Sequence, residues 1–98
     1  MHNKFLLFTK ENCIPCGMVK KYINSLSKKF ESFSLIQEID IDENISPKEN
    51  FDIAERYNVF FSPHLVIIDS DKNLIHEEKG GMNITQNLRR LLDQYAQP

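Results

Sequence analysis

Two cysteines stand three positions apart in Cys13-Ile14-Pro15-Cys16, and they are the only thiols of the chain. At the start of a helix this spacing lets the sulfurs close a small disulfide, and the first of them meets the positive end of the helix dipole. A thiolate is the nucleophile in thiol–disulfide exchange, so a setting that favours the anion on Cys13 makes it the attacking group. Cys16 can then resolve the mixed disulfide, the bland alternative being a packed core cysteine. Metal binding is the competing chemistry. His2, His64 and His76 could add nitrogens, but their spacing fits no zinc-finger pattern and they fall on different elements, so no metal site is predicted.

Hydrophobic spacing predicts the elements that must position this pair. Phe5-Leu6-Leu7-Phe8, within residues 4–9, is a continuous apolar run and reads as a strand covered on both faces. After the loop Lys10-Glu11-Asn12, the apolar residues Ile14, Met18, Tyr22, Ile23, Leu26 and Phe30 recur at helical steps and predict one buried face. Lys20, Lys21, Asn24, Lys28 and Lys29 take the other side, as a solvated face or as a dock for an acidic partner. Pro15 is tolerated because first-turn N–H groups have no helical partner.

Residues 35–42 read as a second strand, with Ile39 and Ile41 on one face. Strand, helix and strand together predict a right-handed parallel βαβ unit. Ser46-Pro47-Lys48-Glu49 is a capping-box pattern opening a helix through Phe51, Ile53, Ala54 and Tyr57, with Asn58 at its end. Leu65-Val66-Ile67-Ile68 is a third strand, and the polar turn at residues 69–73 makes residues 74–79 its antiparallel partner. Gly80-Gly81 break that strand, and Asn83 is placed to cap a last helix carrying Ile84, Leu88, Leu91, Leu92 and Tyr95. The order β-α-β-α-β-β-α predicts an α/β fold, a four-stranded mixed sheet flanked by helices, in one domain over residues 1–98.

Composition bounds the partners. A chain of 98 residues, 41% hydrophobic, buries one modest core. Its net charge of −2 offers no general attraction for phosphate backbones or anionic lipid, so neither nucleic acid nor membrane is expected. The apolar run after Met1 is too short for a signal peptide, and two cysteines are too few for a stapled secreted scaffold. A monomer in the reducing cytoplasm is the expectation.

On these residues the chain resembles the thioredoxin superfamily, in the size range of glutaredoxins. Cys13-Ile14-Pro15-Cys16 between first strand and first helix is similar to its active-site motif, Ser62-Pro63 ahead of an apolar strand to its cis-proline, and Gly80-Gly81 to its glycine corner. The resemblance implies a thioredoxin-like fold with sheet order second, first, third and fourth strand. It also implies a cis Pro63 against the disulfide, leaving the backbone of Ser62 free to pair with an extended substrate.

In finer detail, Ile41-Asp42-Glu43-Asn44, Tyr57-Asn58-Val59 and Ser62-Pro63-His64-Leu65 resemble thioredoxin. Lys10 matches a glutaredoxin lysine associated with glutathione, and Gly81-Met82-Asn83 would serve its γ-glutamyl end. Lys10 could instead support the Cys13 thiolate or be a solvated loop lysine. Leu7 stands where thioredoxins keep a buried aspartate, which makes Glu38 a candidate proton acceptor. His64 would border the site, as a rim residue or one that tunes the thiolate. Of Phe60 and Phe61, one ring is expected in the core and one as a substrate platform. Ile14 and Pro15, counted among the substrate contacts, bring no histidine such as oxidising relatives carry, which implies a reductant.

The resemblance therefore implies a thiol–disulfide oxidoreductase of thioredoxin or glutaredoxin type, serving electron transport and cell redox homeostasis by reducing protein disulfides. A reductase or glutathione would supply electrons, with no bound cofactor and glutathione at most a co-substrate. The alternatives are a glutathione-dependent glutaredoxin and a non-catalytic thioredoxin-fold binding module.

Overall fold

The computed structural model describes residues 3–96, so His2 lies outside the described residues. Strand β1 (Lys4–Thr9) is buried from Phe5 to its end. A strand without alternation needs cover on both faces and a neighbour on each side, and β1 has both. β2 (Ile36–Asp40) runs parallel to it, and β3 (His64–Ile68) pairs antiparallel on its other side. β4 (Leu74–Lys79) completes an antiparallel hairpin with β3, giving the sheet order β2-β1-β3-β4.

Alternate residues of β1 feed two cores. Phe5 and Leu7 join Leu65 and Ile67 under helices α1 (Ile14–Ser27) and α3 (Gly81–Tyr95), against Val19, Ile84 and Leu88. Leu6 and Phe8 join Ile39, Val66 and Ile68 on the other face, against Ala54 of helix α2 (Lys48–Arg56) and Tyr57. The Tyr57 hydroxyl donates to the Lys72 carbonyl at 2.8 Å, pinning the end of α2 to the β3–β4 turn. In that turn the Asp69 carboxylate accepts from the backbone N–H groups of Asp71 and Asn73, each at 2.9 Å. Asn58, at φ 56°, ends α2 in the left-handed conformation that asparagine tolerates. No helix among the described residues is long and apolar enough to cross a membrane.

Several boundaries depart from the sequence pattern. A 3-10 turn, Glu31–Leu35, takes the residue predicted to open β2, because Phe33 of that turn must reach the core under α1. The capping box does not form: the Ser46 hydroxyl donates to Asp40 at 2.8 Å, and Pro47 precedes α2 in an extended conformation. Asn83 does not cap α3, which begins two residues earlier at Gly81; its side-chain amide donates to the Lys79 carbonyl at 3.0 Å. On α1 the buried face runs through Cys16 and Val19 to the half-buried Tyr22, Ile23 and Leu26, while Ile14 and Met18 are exposed. Those two share helical spacing with the core residues but sit in the first turns of α1, where Cys16 and Val19 are the buried pair.

Candidate active site

Strand β1 ends at Thr9, the loop turns at Asn12 with φ 57°, and Cys13 follows in an extended conformation as the N-terminal cap of α1. From there its sulfur accepts the backbone N–H of Cys16 at 3.2 Å. The Cα atoms of Cys13 and Cys16 are 5.2 Å apart and the two sulfurs are joined in a disulfide. Cys13 is half-buried and Cys16 only 1% exposed, so an incoming group reaches the first sulfur before the second.

Two remote segments complete the site. The Ser62–Pro63 peptide is cis, and the Ser62 hydroxyl donates to the Cys13 sulfur at 3.4 Å. Pro63 is tied to the start of α3 through its carbonyl, which accepts from Gly80 N–H at 3.0 Å. Gly81 is buried against the motif itself: a Cβ there would lie 3.0 Å from Pro15 Cβ and 3.3 Å from its carbonyl oxygen. A side chain there would press on Pro15, so glycine suits this close approach.

The electrostatics favour an anion on Cys13. One sulfur receives a backbone N–H and a hydroxyl, stands at the positive end of α1, and has no acidic residue in the first helical turn beside it. Hydrogen bonds to the charged form and a helix N-terminus both stabilise a thiolate once the disulfide is reduced.

Apolar side chains of the motif and of the segments that complete the site are left in solvent. Ile14 is 81% exposed and Phe60 77%, with Met18, Met82 and Phe61 also open to solvent. The expectation that core packing claims one of the two phenylalanines is therefore overturned: Phe60 and Phe61 both lie on the surface, because β3 enters the core only at His64. His64 departs from its expected rim position, being 0% exposed and stacked against Phe61 at 5.4 Å between ring centroids. Burial pushes its pKa below the ordinary 6.5, and nearby Lys79 adds to that effect while Glu77 opposes it.

The other candidates fall further out. Lys10 lines a groove of about 400 Å³ with Glu43, Glu55 and Phe60, over a floor that includes Phe51 and Val59. Met82 and Asn83 are exposed on the first turn of α3 and do not line that groove. Glu38 sits opposite Leu7 in the β1–β2 register and forms an ion pair with Lys20 at 3.2 Å, its side chain 45% exposed. His76 pairs with Glu78 and stacks on Tyr95. Among the described residues no group of three or more His, Cys, Asp or Glu side chains is gathered as a metal site would need.

The sequence pattern puts Met18 on the buried face of α1 and gives Thr9 no role beyond the end of a strand. Thr9 is wholly buried at the end of β1 with its hydroxyl unpartnered. A polar residue closing an apolar run was the available signal.

No family model and no curated protein sequence matches the chain. Solved structures do. A thioredoxin-like protein from Clostridium perfringens superposes with a TM-score of 0.72 at 20% identity, covering 96% of this chain and 71% of that one. A thioredoxin of Nicotiana alata gives 0.70 at 19% identity, over 98% and 75% of the two chains. The Malassezia sympodialis thioredoxin gives 0.69 at 16% identity, over 95% and 74%.

Proposed function

On the premise of a thioredoxin fold with a disulfide at the mouth of its first helix, we propose that the chain is a thiol–disulfide oxidoreductase that reduces protein disulfides. The observation that carries this reading is the asymmetry of the sulfur pair. Cys13 is reachable and receives two hydrogen bonds, whereas Cys16 is enclosed behind it. In the reduced protein the Cys13 thiolate attacks one sulfur of a client disulfide, forms a mixed disulfide and releases the first client thiolate. Cys16, as its thiolate, then attacks the Cys13 sulfur, closes the Cys13–Cys16 disulfide and releases the second client thiolate. Two electrons pass from the dithiol to the client, and an external thiol donor restores the dithiol.

The surroundings support a protein client. Among the described residues neither backbone group of Ser62 is hydrogen-bonded, which leaves both for an extended segment laid beside Pro63. Ile14, Phe60 and Met82 offer that segment an apolar bed, and methionine adapts to varied surfaces. A reducing compartment such as the cytoplasm suits a reductant that must be recharged. The donor would be a reductase or glutathione, with Lys10 the candidate contact for a glutathione carboxylate.

The test is a pair of variants assayed on a protein disulfide. Cys13→Ser is expected to abolish reduction, and Cys16→Ser to accumulate mixed disulfides detectable by mass spectrometry. Full activity in the Cys13 variant would overturn the reading. Supplying glutathione alone, or thioredoxin reductase alone, as donor separates the two electron sources.

A further inference from the structure

His64 follows Pro63 directly, yet among the described residues neither of its ring nitrogens has a hydrogen-bond partner, and the residue is buried. A buried ring without a protein acceptor stands to gain from one brought within reach. Its Nε2 faces Glu77 Oε1 at 3.7 Å, too far for a hydrogen bond. Lys79 Nζ holds that same oxygen at 3.3 Å. The His64 ring stacks on Phe61, and Lys79 Nζ lies 5.8 Å from the centroid of the same Phe61 ring. One carboxylate oxygen and one phenyl ring are thus each shared between His64 and Lys79. Phe61 in turn precedes Ser62, whose hydroxyl touches the Cys13 sulfur.

Given the oxidoreductase reading above, on which this rests, we propose that His64 is a positioning residue for client binding. On taking a proton from solvent it draws Glu77 from Lys79 and tightens its existing stack with Phe61, so that this exposed ring beside Ser62 is less free to fit a client. The neutral ring has no charge to offer Glu77, so the carboxylate stays with Lys79. The imidazolium makes both nitrogens donors, pairs with the carboxylate and presents a cation to the face of Phe61.

The groups that bear on His64 are few. From β4 they are Glu77 and Lys79; its β1 neighbour in the ladder, Phe8, is uncharged. From α2, Arg56 lines the same groove as Glu77 and Lys79, together with Asp71 and Lys72 of the β3–β4 turn. Across Ser62 stands Cys13, charged only when reduced. Burial and Lys79 keep His64 neutral at pH 7, so the exchange falls on the acid side of the ordinary histidine range.

The experiment measures KM and kcat from about pH 5 to pH 8 for two substrates. One is a peptide disulfide flanked by leucine and phenylalanine; the other is hydroxyethyl disulfide, which needs no bed. Below the His64 midpoint the peptide KM is expected to rise about threefold, a cation–π-sized effect, while that of hydroxyethyl disulfide stays flat. The kcat of both follows Cys13. Glu77→Gln is expected to keep the peptide KM at neutral pH and to lose its acid rise; Glu77 is partly exposed, so this variant spares the core. A flat peptide KM, or an undiminished rise in Glu77→Gln, would overturn the proposal. A second readout needs no activity: in the oxidised protein the NMR signals of the His64 and Phe61 rings should titrate with one midpoint. A Phe61 ring that ignores the His64 titration sinks the exchange, whereas failure to reduce any disulfide at any pH sinks the oxidoreductase reading instead.

Discussion

The face of the sheet under α1 and α3 is well covered, whereas the face under α2 is only partly roofed. Two helices of 14 and 15 residues cover the first, and Val19, Ile84 and Leu88 reach complete burial there. One helix of nine residues covers the second, leaving Glu77 and Lys79 of β4 along an open groove of about 620 Å³ with Arg56. Cys16 lies on the buried side of α1, which covers the first face, while His64 alternates along β3 with Val66 and Ile68 of the second. The contrast separates two tasks: apolar packing fixes the helix that carries the sulfurs, and charged groups adjust what lies in front of them.

The largest expected consequence is in stability. Leu88→Ala should lower the unfolding free energy by about 2–5 kcal/mol, the range for emptying a well-packed core site. Ile53→Ala, on half-buried α2 surface, should stay below about 2 kcal/mol because the site is already open on one side. Denaturant titrations that gave equal losses would erase the distinction between the faces.

A smaller effect is expected where α3 meets the cysteine motif. Gly81→Ala places a methyl group 3.0 Å from Pro15 Cβ, and overpacking of this kind costs about 1–3 kcal/mol. Thermal unfolding measures that loss. An unchanged melting temperature would mean that α3 and Pro15 are not held as closely as the packing requires.

The smallest effect is electrostatic and belongs to the open face. His64 has its folded pKa below the unfolded value near 6.5, so between the two values the unfolded chain binds more protons. Its contribution to stability is therefore whole above that range and is lost as pH falls through it. Urea midpoints should decline from about pH 7 towards pH 5 in the wild type and decline less in His64→Gln. Asp69, whose pKa is lowered from 3.8 by hydrogen bonds from Asn73 and Asp71, acts at more acidic pH and leaves this window clear. Equal declines in the two proteins would remove the charge-adjusted role of the second face.

Most of the architecture is legible in apolar spacing, and the failures share a cause. Phe5 to Phe8 declare a central strand because an unbroken run has no other use at that length. The cysteine spacing and the proline ahead of β3 stand out because few other sequences need them. Ile14 and Met18 share the spacing of a buried face, and Phe60 and Phe61 an apolar run before β3, yet all four stay in solvent, because hydrophobicity alone cannot separate a side chain kept for the core from one kept for a surface contact. The departed caps have a local reason: Ser46 found the Asp40 carboxylate nearer than a helical N–H, and Gly80 with Gly81 began α3 before Asn83 was reached. The meeting of His64, Glu77 and Lys79 depends on the β3–β4 register, including its irregularity between Ile67 and Ile68, and no local pattern encodes that register.

The contact of Gly81 with Pro15 also has a bearing on synthesis. The wall behind the cysteine helix is supplied by a segment translated after the entire sheet, so on the ribosome both sulfurs emerge well before their surroundings exist. Within this chain an oxidant met in that interval can join them only to each other.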